Sequence, residues 1–410
     1  MPSTSVREPT TVFPILSLPT ELCCSIISEI DSPGDLLHLA LTTRCFRDII
    51  IPDHLEYRKI TNNLLGRPLW LHFIQNPVFS ENVRELNVRL STHYKVPGGF
   101  IVHKLPQSVV EMEAAFLDSR ADLCKAFRRM SRLRAFRWSL TERCPDENDA
   151  IWDALAEYCP NLSEVLVEDY GRRSPGHDIR MFHDWKLFDL KNLTTIKLHS
   201  IAYRSLPGAP PDAVSRLRSF LLSSAALESL DFMFMYADLE NSSTPFDDIL
   251  SSASWPHLKH LSLALVSCEP AIVASFLARH SSLESFRLRH DYYGLFNLSR
   301  VPSGALPRLA LFEGAYASIL QLARVTPAPP LEVVKFECKY EEEYVSLARV
   351  LKAFMGTLRW LDVPSIDAQE GAGWQRVCEA LPEVTVRDHR TSRCLKKLTQ
   401  GGWALSLSAW

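Results

Sequence analysis

The feature that most constrains this chain is a hexad, apolar-x-x-apolar-x-apolar, which returns eleven times between Val83 and Val386. It reads Val83, Leu86 and Val88; Leu133, Phe136 and Trp138; Leu162, Val165 and Val167; Leu193, Ile196 and Leu198. Further copies start at Leu227, Leu258 and Leu283, and weaker ones at Leu309, Leu331, Leu358 and Leu381. From Leu133 onward the starts lie roughly 22 to 34 residues apart, a spacing centred in the range of leucine-rich repeats. Segments of helical character separate the copies, over 151–158, 213–222, 271–278 and 344–354. The stretch 109–130 reads as a helical insertion or an unrecognised unit. Each unit is therefore strand, loop, helix and turn. Such a unit cannot hide its apolar face alone, so neighbours stack into a curved solenoid with a parallel sheet inside and helices outside.

Side chains alternate along a strand, so residues between the apolar positions of each hexad are expected on the concave face. That face would mix signs, with Glu164, Lys197, Asp231, Arg287, Arg289 and Asp362 beside Trp360. Such a lining suits a protein segment with patterned charge better than a nucleic-acid backbone. Arg287, Arg289 and Trp360 are the expected target-binding residues, because Arg and Trp dominate measured hot spots.

Ahead of the repeats, Leu16 to Ile51 forms a second distinct stretch. Pro19 fits a first helical turn, and Leu22, Ile26 and Ile30 recur every four residues with Cys23 and Ile27 alongside. Ser32, Pro33 and Asp35 read as N-cap, first-turn proline and capping-box acid of a second helix through Leu36, Leu37, Ala40 and Leu41. A third short helix, Arg44 to Ile50, is expected to end against Pro52. Three helices of this length have too little interior to bury all that Leu and Ile, so the surplus must face something else.

Leu18-Pro19, Glu21-Leu22, Ile26, Ile30, Asp35-Leu36-Leu37, Leu39-Ala40-Leu41 and Phe46-Arg47 together resemble an F-box, over roughly a tenth of the chain. The repeats likewise resemble the irregular leucine-rich repeats of F-box proteins. The family often has Trp near the third helix and at the end of the motif, where this chain has Phe46 and Tyr57. The resemblance implies a substrate-recognition adaptor of a cullin-RING ubiquitin ligase. Leu18, Pro19, Leu22, Ile26, Leu36, Leu37 and Phe46 would touch its Skp-type linker, and the repeats would hold a target protein. The alternative is a repeat scaffold without a ligase role, its first helices acting as a solenoid cap.

The expected organisation is an N-terminal segment over 1–12, a helical domain over 13–60, the solenoid over 61–390 and a tail or cap over 391–410. The 410 residues carry a formal charge of -3, which argues against a nucleic-acid binder driven by phosphate contacts. A chain with 46% hydrophobic and 23% charged residues is not generally disordered. No run approaches a membrane span and no secretory pattern opens the chain, so a cytoplasmic or nuclear location without membrane contact is expected. The ten cysteines are dispersed without a Cys-x-x-Cys pair, which favours reduced thiols and no zinc site.

Chemistry has little to stand on. No phosphate loop or Gly-x-Ser-x-Gly elbow occurs, and no cofactor or catalytic residue is assigned. His177-Asp178 and His183-Asp184 come nearest to a metal or acid-base cluster, but their spacing fits no familiar ligand helix. Longer connections at 171–184 and 289–307 are candidate contact loops. The expectation is a non-catalytic binding protein.

Overall fold

A computed structural model of the chain describes residues 15–30, 32–55, 57–90, 109–140, 149–169, 186–200, 211–234, 244–289, 295–337, 342–363, 381, 383–388 and 394–395. Three short helices come first: α1 (Thr20–Ser28), α2 (Pro33–Thr42) and α3 (Arg44–Ile50). Pro19 sits one residue before α1, where its carbonyl accepts from the amides of Leu22 and Cys23 at 3.0 and 3.1 Å. Ser32 caps α2 by accepting from the Asp35 amide at 3.2 Å, and Thr43 caps α3 through the Phe46 amide at 3.2 Å. As expected, α3 ends at Ile50, just ahead of Pro52. A proline lacks the N–H of the α ladder and crowds the preceding turn, and here the backbone widens into a π-type turn over Ile51–Leu55.

Among the described residues, twelve parallel strands follow in one sheet, stacked in the order of the sequence. They are β1 (Lys59–Asn63), β2 (Glu85–Leu90), β3 (Ala135–Leu140), β4 (Glu164–Asp169), β5 (Thr195–Ser200), β6 (Ser229–Phe234), β8 (His260–Ala264), β10 (Ser285–Arg289), β11 (Leu311–Ala315), β12 (Val333–Glu337), β13 (Trp360–Val363) and β14 (Thr385–Asp388). A thirteenth, β15 (Cys394–Leu395), closes the far edge antiparallel to β14, and β7 (Thr244–Pro245) pairs with β9 (Val266–Ser267) apart from the main sheet. Every hexad copy is one strand from β2 to β14. The connecting helices are α4 (Arg67–Gln75), α5 (Pro77–Asn82), α6 (Val109–Phe127), α7 (Asp149–Tyr158), α8 (Pro211–Leu222), α9 (Asp247–Ser252), α10 (Pro270–Arg279), α11 (Tyr316–Ala323) and α12 (Glu342–Leu351). The architecture is α/β, a leucine-rich-repeat-like solenoid preceded by a three-helix unit.

Register aligns the hexads into continuous rows. Leu86, Phe136, Val165, Ile196, Leu230 and Leu261 are successive partners, as are Val88, Trp138, Val167, Leu198, Phe232 and Leu263. All twelve are buried against the helix layer. The first leucine of each hexad, such as Leu133, Leu193 and Leu258, is buried just ahead of its strand. The connection between β10 and β11 is a loop as expected, exposed at Ser299, Arg300 and Pro302–Gly304. Its Phe296, Leu298 and Leu306 are nevertheless buried in the main core. The other candidate contact loop, 171–184, with His177, Asp178, His183 and Asp184, lies outside the described residues, as do 1–12 and most of 391–410.

One helix-to-strand corner depends on a histidine. His280 is buried, its Nδ1 faces the Phe276 carbonyl at 2.7 Å and its Nε2 accepts from the Trp255 amide at 3.0 Å. The Trp255 amide requires an unprotonated Nε2, and burial, outweighing the Phe276 carbonyl, holds the ring's pKa below the ordinary 6.5. Because the unfolded chain takes up this proton more readily, the corner's contribution is full above pH 6.5 and shrinks as pH falls below it. Thermal melting from pH 7.5 to 5 should show that decline. His280→Gln should lower the melting temperature at pH 7.5 and flatten the slope below 6.5.

Candidate functional site

The three-helix unit has its own core, formed by Cys23 and Ile27 of α1, Leu36 and Ala40 of α2, and Phe46 and Ile50 of α3. Each helix thus turns one i, i+4 pair inward, the spacing at which two side chains share a face. A second i, i+4 pair on α1, Leu22 and Ile26, points outward with 51% and 44% exposure. On α2 the outward pair is Leu37 and Leu41, at 43% and 74%. Four large aliphatic side chains exposed on two short helices is an unusual concentration for a surface that meets only water.

The structure therefore divides the seven expected linker-contact residues. Pro19, Leu22, Ile26 and Leu37 are exposed, and Leu18 is half-buried against the small core. Leu36 and Phe46 lie inside that core at 0% and 3% exposure. The expectation that these two face a partner is corrected on that ground: they hold the helices together. Leu41 has the same spacing from Leu37 as Ile26 from Leu22 and was missed as a site residue. The exposed Ile15 and Ile51 flank the unit.

The concave face is the other candidate surface. In its central row Asn87, Arg137, Leu166, Lys197, Asp231 and Ser262 are successive partners, continuing through Arg287, Glu313, Lys335 and Asp362. Its charges largely satisfy each other. Lys59 meets Glu85 at 2.6 Å, Lys197 pairs with Glu168, Arg287 lies 3.5 Å from Glu313, and Lys335 lies 3.7 Å from Asp362. Burial pushes the Glu168 carboxyl up, but Lys197 outweighs it and leaves the group below its usual range.

Arg289 is the most engaged of these cations. Its partner in register is Ala264, small enough for the guanidinium to cross β8 and reach β6 and β5. There it pairs with Asp231, donates to the Ser262 hydroxyl at 2.8 and 3.1 Å, and approaches His199 Nε2 at 3.3 Å. His199 also lies 3.0 Å from Asp231. Arg289 therefore straps the inner face through Nε and Nη2. Arg287 is half-exposed beside Glu313. Trp360 stands at the end of a short apolar row, Leu311, Val333 and Trp360, on three neighbouring strands. All three are half-buried on the inner face.

Among the described residues no group of His, Cys, Asp and Glu is placed to hold a metal ion, and no helix is long and apolar enough to cross a membrane. No protein-family model matches the sequence, and no curated protein does. Among solved structures, a chain from the crystal structure of the Rad7 and Elc1 complex in yeast is similar to this one, at 13% identity and a TM-score of 0.46. The likeness covers 90% of this chain and 89% of that one.

The Arg289 strap gives a direct test. Burial pushes the Asp231 carboxyl up, but the His199 hydrogen bond and the Arg289 charge outweigh it and hold the group below its ordinary 3.8. Its stabilisation is present above pH 3.8 and is lost as pH falls through the lowered folded value. Arg289→Met should cost roughly 1–3 kcal/mol in denaturant unfolding, since Asp231 and Ser262 lose a charged donor. NMR titration should show the Asp231 carboxyl protonating at higher pH in that variant.

Proposed function

We propose that this chain is a substrate-recruiting adaptor of a cullin-RING ubiquitin ligase, with the F-box-like helices docking on a Skp-type linker and the solenoid presenting a target protein. The observation that carries this reading is the outward aliphatic set, Leu22, Ile26, Leu37 and Leu41, on a unit whose own core is already complete. An ordinary solenoid cap would turn these side chains toward the first repeat. The exposed set instead leaves two helices with an apolar face that a second polypeptide must cover.

On this reading the chain performs no bond chemistry. It holds a target near a ubiquitin-loaded enzyme supplied by the rest of the assembly, and effective concentration does the work. The half-buried row Leu311, Val333 and Trp360 is the proposed apolar anchor for the target, bordered on one side by the Arg287–Glu313 and Lys335–Asp362 pairs. An aromatic residue beside aliphatic neighbours and bordering charges is a common makeup of a binding hot spot.

Co-expression with a Skp-type linker should give a stable complex. Leu22→Asp should weaken it by roughly tenfold or more, since a charge would enter a desolvated contact. Because Leu22 lies outside the small core, the variant should keep its circular dichroism and melting temperature. Wild-type affinity in a folded Leu22→Asp chain, or no complex at all, would remove the docking model.

For the target side, Trp360→Ala should deplete the proteins that co-purify with the wild-type chain while leaving linker binding unchanged. Quantitative mass spectrometry of the two purifications reads the difference. An identical partner list would move the target site off the β11–β13 row.

A further inference from the structure

Arg58 stands between the two bodies, and its atoms divide between them. Its guanidinium, on a side chain of a residue only 3% exposed, donates through Nη1 to the Ile30 carbonyl at 2.7 Å and through Nη2 to the Ile27 carbonyl at 3.3 Å. A third donor, Nε, meets the carbonyl of His54. Ile27 lies in the last turn of α1 and Ile30 just beyond it, at the helix end that carries partial negative charge; the Ile27 carbonyl also accepts from the Ile30 amide at 3.1 Å. The guanidinium completes that end. The backbone of the same residue belongs to the solenoid, because the Arg58 carbonyl accepts from the amides of Arg84 and Glu85 at 2.9 Å each. This is the rung immediately before β1 and β2 pair.

The surroundings differ from the rest of the molecule. Elsewhere the buried interior is mostly apolar rows, but around this joint His54, Arg58, Asn62, Asn63, Asn82 and Arg84 are all buried. A second tie crosses nearby, with Arg134 of the solenoid 3.6 Å from Glu29 at the end of α1. Apolar contact holds two bodies together without fixing direction, whereas three hydrogen bonds from one planar fork fix an orientation.

We infer that Arg58 is a positioning residue, which fixes the direction of the three-helix unit relative to the concave face so that the two surfaces keep a set geometry. Its functional weight rests on the adaptor reading, in which the linker is held at one end and the target at the other. A lysine is not an adequate substitute, because a compact ammonium cannot reach three carbonyls in the geometry of the planar fork.

The test is single-molecule energy transfer in the full chain, with dyes on the exposed Asp48 of α3 and the exposed Glu157 of α7. Wild type should give one narrow peak. Arg58→Lys and Arg58→Met should both lose it for a broad distribution, with the lysine variant the narrower of the two. Hydrogen exchange of α1–α3 and linker binding should be retained in Arg58→Lys, since neither small core nor outward face is altered. A narrow peak in both variants overturns the inference. So does loss of amide protection throughout α1–α3 in Arg58→Lys, which would make the arginine a folding requirement of the unit. A chain that never binds the linker but shows the broadening would defeat the adaptor reading and leave the joint standing.

Discussion

The structure depends on one constraint: a strand with two inward apolar residues has nowhere to bury them except against its neighbours in register. Phe136 needs Val165, and Val165 needs Ile196, so the sheet is stabilised as a stack and no single repeat is complete. The strands lie about 4.8 Å apart, and the same register that aligns the apolar rows brings the opposite side chains equally close. Like charges facing each other at that spacing destabilise a sheet, and opposite charges stabilise it. Arg287, Glu313, Lys335 and Asp362 alternate in sign across four successive strands and answer that requirement. The mixed inner face is thus a consequence of stacking before it is a statement about a partner.

The three-helix unit obeys the opposite logic. Each of its helices is too short to be stable alone, and one i, i+4 pair from each, Cys23 with Ile27, Leu36 with Ala40, and Phe46 with Ile50, closes a small interior. Once that interior is filled, further aliphatic residues add nothing to it. Leu22, Ile26, Leu37 and Leu41 therefore need another explanation than folding of the unit. Neighbouring positions on one helix separate the roles: residue 23 points in and residue 22 points out, about 100° apart.

The repeat architecture was legible because the hexad states its own period. Each main-sheet strand from β2 to β14 could be placed from its apolar positions, and the helical insertion at 109–130 appears as α6 (Val109–Phe127). The thin copies, such as Leu309 with Phe312, were no less reliable as strands. What the pattern could not show was which apolar residues of the first helices face inward. Leu36 and Leu37 are indistinguishable by type, and only the crossing of three helices buries one and exposes the other. Nor could it show that Arg289 reaches Asp231 and Ser262, since that contact requires the small Ala264 in register between them. The β10–β11 connection is the loop its Pro and Gly marked, but the pattern could not show that Phe296, Leu298 and Leu306 within it are buried.

Charge pairing on the inner face limits how that face can select a partner. A ligand that binds by charge alone must break an existing pair, such as Lys197–Glu168, and offer its own partner in exchange, so the net gain is small. Apolar contact carries no such exchange, and burial of Leu311, Val333 and Trp360 would remove area from water without undoing an ion pair. The paired charges then act on the wrong partners more than on the right one, because a misplaced charge meets a neighbour already satisfied and remains desolvated without compensation. Affinity on such a surface comes from the apolar row, and selectivity comes from the pairs that border it.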